Sequence, residues 1–253
     1  EKDHKLVENI VIKTQGFVSG NFSENDEAPV EKFREFLNLY KGIDKAQLRA
    51  NMKYFLEAIM PVCDECNIDM CVHPDDPPIE ILGLPRIVRT REDIQWFLSA
   101  VPNVHNGLTF CAGSLSAGAY NDVVEMAREF APRTHFVHLR SCHIFPNGDF
   151  TEASHLGGRA DLVELARTFE KERLRRTALN ANGAELNANI PMRVDHGMTF
   201  TDEPGGIFDE SAHGHNAGYT LLGRMFAIGQ VQGILATVDR ELDIDYKQPG
   251  FFD

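Results

Sequence analysis

The sequence predicts an α/β protein built on a parallel sheet, and three observations carry that expectation. Strand-like and helix-like patterns alternate four times after residue 67. The strand-like runs are short and apolar, whereas the segments between them repeat apolar residues at helical spacing. Each strand-like run also ends on or next to a residue type that binds metals: His73, Cys111, His138 and Asp195.

The elements follow in order. Leu6, Val7, Ile10 and Val11 have the spacing of a short helix, and Phe33, Phe36, Leu37 and Tyr40 give a clearer one. Asp44 is placed to cap the next helix, on which Leu48, Met52, Phe55, Leu56 and Ile59 share a face. Residues 1–67 therefore read as mainly helical. Ile68 to His73 reads as a buried strand leading into a Pro-rich loop. Ile94, Phe97, Leu98 and Val101 mark a helix, and Gly107 to Cys111 a second strand. Asn121 is expected to cap a helix running through Phe130, and Thr134 to Leu139 reads as a third strand. Asp161 and Glu164 have capping-box spacing before a helix to about Arg175. Ile190 to Asp195 reads as a fourth strand, and a long helical region starts near Gly218. Residues 68–253 thus form four β/α units.

Composition narrows the function classes. The chain has 253 residues, 43% of them apolar and 25% charged, which is a globular mix. Its formal net charge of −13 disfavours a sequence-independent grip on nucleic acid phosphate. An anionic small substrate would need local positive charge or a metal. No uncharged apolar run reaches the ~18 residues of a membrane span, so none is expected. Glu1-Lys2-Asp3-His4 has no signal-peptide stretch, and the five cysteines are an odd number; both point to reduced thiols in a cytoplasm. Cys63-Asp-Glu-Cys66 has half a zinc spacing but no second pair at finger or ribbon distance, so it reads as two semi-buried thiols.

Right-handed crossovers make successive parallel strands point the same way, so their C-terminal ends share one rim, where such folds bind ligands. A lone histidine there is more often a hydrogen-bonded structural residue, and a lone buried cysteine an inert small hydrophobe. Four ligand-type residues on four successive ends are a different matter. Two imidazoles, a thiolate and a carboxylate form a first coordination shell that zinc, manganese or iron accepts, the thiolate leaning toward zinc or iron.

The neighbours fit a reactive centre. Asp75 or Asp76, in the loop after His73, is placed to orient ligands. Gly113 marks a close backbone approach. Arg140 lies two residues past His138; it is suited either to grip a substrate carboxylate or to pair with a neighbouring loop. His196 follows Asp195 into the loop over the site, where an imidazole can move a proton near neutral pH. Tyr219 is either an acid or a helix-start aromatic packing inward. The segment from Thr151 to Gly158, with Glu152 and His155, reads as a cover for the site or a long connection.

Several long motifs occur in order along nearly the whole chain. They are Val72-His73-Pro74-Asp75-Asp76-Pro77-Pro78, Gly83-Leu84-Pro85-Arg86-Ile87-Val88 and Cys111-Ala112-Gly113-Ser114. Phe136-Val137-His138-Leu139-Arg140-Ser141, Glu152-Ala153-Ser154-His155-Leu156, Met192-Arg193-Val194-Asp195-His196-Gly197 and Gly218-Tyr219 complete the set. Together they resemble the mannonate dehydratase family. The resemblance implies a (β/α)8 TIM barrel of the sugar-isomerase type. It implies a manganese or ferrous ion and dehydration of D-mannonate to 2-keto-3-deoxy-D-gluconate in hexuronate breakdown. By position it implies His73, Cys111, His138 and Asp195 as metal ligands and His196 with Tyr219 as the acid/base pair, with either in either role. Arg140, His155 and Arg193 are the expected substrate-binding residues. A homodimer or higher homo-oligomer is expected.

This sequence departs from the family pattern in three places. Val194 stands where proline is usual, the loop from Met198 to Ala217 differs, which leaves His213 and His215 without an expected role, and the family's first barrel strands have no counterpart here. The chain is therefore expected to be the C-terminal part of a longer barrel. Two other readings stay open from sequence: a metal-dependent sugar isomerase or epimerase on the same architecture, and an inactive metal-binding fragment.

Overall fold

The computed structural model describes residues 29–200 and 220–244. The short helix expected at Leu6–Val11 lies outside them, as do His213, His215 and Tyr219. Two helices come first, α1 (Pro29–Leu39) and α2 (Lys45–Cys66). Asp44 caps α2 as expected, accepting a hydrogen bond from the Gln47 N–H at 2.8 Å. Leu56, Met60 and Cys63 form the buried stripe of α2, with Leu48, Met52 and Ile59 packed beside it. Phe55, expected on that face, is exposed instead. It follows Met52 by three residues and precedes Ile59 by four, so it has the right period; the stripe is simply narrower than the pattern allows.

The parallel sheet then begins. β1 (Met70–Val72) is followed by α3 (Arg91–Ala100), and β2 (Asn106–Cys111) by the short helix α4 (Ala112–Ala117) and α5 (Val123–Phe130). β3 (Thr134–His138) comes next. A hairpin of β4 (Cys142–Ile144) and β5 (Phe150–Glu152) separates it from α6 (Leu162–Asn180). β6 (Met192–Arg193) and α7 (Leu221–Glu241) complete the described order. The four-stranded sheet runs β1-β2-β3-β6 with every pairing parallel. Among the described residues it is open, with β1 and β6 at its edges. An α/β fold is therefore present, and eight-stranded closure remains an expectation.

Some boundaries differ from the sequence pattern. Asp122, not Asn121, caps α5, accepting from the Glu125 N–H. Asn121 is buried and its amide donates to the carbonyls of Arg89 and Leu115, fastening the loop before α3 to the end of α4. Asp161 caps α6 through the Glu164 N–H, but the Glu164 carboxylate turns to Arg128 and Arg167 rather than closing a capping box. The fourth strand shrinks to two residues, Met192 and Arg193, paired with Val137 and His138 of β3.

β2 is buried along its whole length, as a central strand must be. Leu108 and Phe110 face the helices, and Phe110 meets Phe169 of α6 with ring centroids 5.2 Å apart. Thr109 and Cys111 point to the other side of the sheet, alongside Phe136 and His138 of β3. Among the described residues one helix, α7, is long and apolar enough by length and composition to cross a membrane. Its Ala227, Val231, Ile234 and Val238 are buried in the same core as Leu162, Leu165 and Phe169 of α6.

Candidate metal centre

The four strand ends meet. His73, Cys111, His138 and Asp195 each offer one ligand atom, and these atoms all lie within 4.8 Å of one another. Cys111 and His138 are paired across β2 and β3, so their side chains leave the same face of the sheet. His138 is in turn paired with Arg193 on β6, and Asp195 lies two residues further on. His73 Nε2 is 3.2 Å from His138 Nδ1, His138 Nδ1 is 3.5 Å from Asp195 Oδ2, and Cys111 Sγ is 3.8 Å from the same oxygen. Ligands about 2.0–2.3 Å from a shared ion sit roughly 3–4 Å from each other, so these separations suit one ion between them.

Each donor is held in place. His73 is bound through Nδ1 to the Pro74 carbonyl at 2.6 Å; a carbonyl only accepts, so the hydrogen is on Nδ1 and Nε2 is left for the site. Cys111 ends β2 and caps α4, taking hydrogen bonds from the Ser114 N–H at 3.5 Å and the Ser114 hydroxyl at 3.1 Å. Asp195 has φ +59°, a left-handed conformation that aspartate tolerates better than most residues. That turn brings its carboxylate back over the sheet. Strain of this kind is concentrated at functional sites. Asp75 accepts from the N–H groups of Ile87 and Val88, both at 2.7 Å, and so ties the Pro-rich loop to itself.

Charge is arranged around the donors. Burial opposes ionisation of Asp195, but His138, His196 and Arg140 outweigh it and hold the carboxyl well below the usual range. Burial likewise opposes charge on His138, and its contacts with Asp195 and Cys111 raise its pKa nonetheless. Arg140 is 2% exposed. It gives three hydrogen bonds to Glu152, between 2.6 and 3.1 Å, and one to Asp76 at 2.5 Å. Its Nη1 is 3.9 Å from Asp195 Oδ2. Gly113 makes this position accessible: a Cβ there would lie 2.3 Å from Arg140 Cγ and Cδ. The close approach expected at this glycine is thus to a side chain, not a backbone.

The remaining expected residues have definite places. Arg193 is partly exposed, with Nη2 3.5 Å from Asp195 Oδ1. His155 is 1% exposed; its Nε2 donates to the Val194 carbonyl at 3.1 Å and its N–H to Gln230 Oε1 at 2.9 Å. Burial pushes its pKa down, against the pull of that carbonyl bond. It stands behind the strand end that carries Asp195 and ties it to α7. His196 lies beside the donors, with Nδ1 3.3 Å from Glu152 Oε1 and Nε2 3.7 Å from Asp195 Oδ2. Glu152 is the residue that sequence undervalued. Its carboxylate is half-buried, which opposes ionisation, but His196 and Arg140 keep its pKa low. The Asn147-Gly148 pair between two short runs was a hairpin signal that would have moved it from a loop onto β5.

Fold and donor set together define an α/β protein with a candidate mononuclear metal centre at the C-terminal rim of a parallel sheet. The comparisons narrow this. A sequence model of D-mannonate dehydratase (UxuA) matches residues 1–245. The chain belongs to the mannonate dehydratase family. It is 40% identical over 235 residues to a mannonate dehydratase of Marinomonas sp. (strain MWYL1), covering 92% of this chain and 55% of that protein. It is 40% identical over 203 residues to mannonate dehydratase 2 of Agrobacterium fabrum, covering 80% of this chain and 48% of the relative. A crystal structure of mannonate dehydratase from Streptococcus suis serotype 2 matches with a TM-score of 0.67 at 26% identity, over 84% of this chain and 56% of the other. The chain spans about half the length of the curated relatives it matches.

Proposed function

We propose that the chain carries the catalytic half of a mannonate dehydratase, the C-terminal part of a single (β/α)8 barrel domain, converting D-mannonate to 2-keto-3-deoxy-D-gluconate and water in hexuronate catabolism. The convergence of His73, Cys111, His138 and Asp195 within 4.8 Å, with His196 beside them, is the observation that supports this reading most. The family resemblance implies a manganese or ferrous ion, and two imidazoles, a carboxylate and a thiolate are donors that could hold it. Bound there, such an ion supplies Lewis-acid stabilisation for charge building on the substrate carboxylate.

The chain's own residues do the rest. The C2–H bond breaks and its proton goes to a base; its electron pair forms the C2–C3 double bond. The C3–O bond breaks, and the hydroxyl leaves as water after taking a proton from an acid. The C2 enol then becomes the ketone, with a proton added at C3. His196 and Tyr219 divide the base and acid roles, each contributing on the order of 10²–10⁴-fold in rate. Arg193, the partly exposed cation beside Asp195, contacts the sugar acid; Arg140 and His155, also expected to bind it, are almost fully buried and committed to Glu152, Asp76 and the Val194 carbonyl, so they support the site from behind. The working protein is a cytoplasmic homodimer or higher homo-oligomer.

Incubating the manganese-loaded chain with D-mannonate tests the reading. A 2-keto-3-deoxy acid should form. A configurational isomer would point to an epimerase instead, and unchanged substrate would contradict dehydration by this chain. His196→Asn should keep its metal and lose at least about a hundredfold in turnover; near-normal turnover would remove His196 from the mechanism.

A further inference from the structure

Glu152 has a position that its pairing with Arg140 does not fully explain. Arg140 brings one positive charge to three carboxylates, those of Glu152, Asp76 and Asp195. Glu152 is gripped along one edge of the guanidinium, by Nε and Nη2 together, so its orientation is fixed. Arg140 is itself fixed by Asp76 and by the space that Gly113 leaves. From this clamp Glu152 Oε1 reaches His196 Nδ1 at 3.3 Å, while the other ring nitrogen turns toward the metal-ligand carboxylate of Asp195.

We propose that Glu152 is a positioning residue for His196: it accepts the Nδ1 hydrogen and leaves the Nε2 lone pair at the metal centre. An ionised carboxylate only accepts hydrogen bonds, so the contact selects one tautomer of the neutral ring. His196 is then set to receive a proton at Nε2, and the imidazolium so formed gives its Nδ1 hydrogen bond to an anion. A buried aspartate does the same for the histidine of a serine-protease triad. This assigns His196 the base role, and it rests on the dehydratase reading above. The step is the one already balanced: the C2 proton moves to Nε2 and the C2–H pair becomes the new C2–C3 bond.

Glu152→Gln is the informative variant. Glu152 Oε1 serves both Arg140 Nη2 and His196 Nδ1, so an amide NH2 at that place gives up the Arg140 bond and donates to Nδ1, whereas an amide oxygen there leaves the imidazolium a neutral partner; either way the anion behind His196 is lost. In the manganese-loaded full chain kcat for D-mannonate should fall about 10²–10⁴-fold, with KM changed by less than about threefold and metal content unchanged. Separately, the ¹⁵N shifts of the His196 ring in the metal-free chain, assigned by their loss in His196→Asn, should report hydrogen on Nδ1 in the wild type. Wild-type kcat in Glu152→Gln, or hydrogen on Nε2 in the wild type, overturns the proposal. If the wild type leaves mannonate unchanged, the dehydratase reading fails, and the ring shifts still decide Glu152. If Glu152→Gln does not fold, the wild-type shifts decide it alone.

Discussion

Cys111 and His138 are register partners at the C-terminal ends of neighbouring parallel strands, and that pairing puts a sulfur and an imidazole on the same face of the sheet. His73 and Asp195 join them from beyond the ends of β1 and β6, the outer strands among the described residues, one by a proline-stiffened exit and the other by a left-handed turn.

Gly113→Ala should be destabilising out of proportion to one methyl group. The new Cβ would overlap the Arg140 stem at 2.3 Å, and Arg140 cannot move without releasing Glu152 and Asp76. Overpacking of this kind costs about 1–3 kcal/mol. Chemical denaturation should show a lower midpoint at unchanged slope; a wild-type midpoint would mean the clamp yields freely.

Asp93 should be the acid-sensitive fastener between α2 and α3. It is 2% exposed and accepts from Lys45 Nζ and Arg49 Nη2, both at 2.6 Å, and from the Arg89 N–H. Burial opposes its ionisation, but Lys45, Arg89 and Arg49 hold its pKa below the ordinary 3.8. A depressed folded pKa means the stabilisation is present above 3.8 and is lost as pH falls through the folded value. Asp93→Asn should therefore be less stable than wild type at pH 7, by about 2 kcal/mol since Lys45 is partly solvated. The gap should narrow below pH 3.8. A gap independent of pH would show that the carboxylate's charge does not matter there.

His155→Phe should disturb the metal centre indirectly. The ring loses its bond to the Val194 carbonyl one residue before Asp195, and the buried acceptor is left unpaired at a cost of about 1–3 kcal/mol. Metal affinity should drop about 10–100-fold, as when an outer hydrogen-bond partner is removed. Calorimetric titration of Mn²⁺ checks this; unchanged affinity would separate His155 from the positioning of Asp195.

Much of the site was legible in sequence because strand ends are simple to find. Cys111 and His138 each follow an apolar run and precede a polar turn, and parallel topology then brings such ends together. What stayed hidden depends on tertiary contact. Asn121 looks like a cap because its side chain can serve as one; only packing shows it bridging the loop before α3 and the end of α4. Arg140 and Glu152 are twelve residues apart across a hairpin, so no helical or strand period links them. The fourth strand is shorter than expected because Ile190 to Asp195 has strand composition, whereas strand length is set by pairing, and only Met192 and Arg193 pair with β3.

The central claim is that Cys111 is a ligand of a metal held jointly with His73, His138 and Asp195. Titrating the metal-free chain with cobalt(II) and recording the near-ultraviolet sulfur-to-metal charge-transfer band tests it most directly. A saturable band of one ion per chain is predicted for the wild type, absent in Cys111→Ser. A wild type without the band, or a band unchanged in Cys111→Ser, would contradict the metal centre described above.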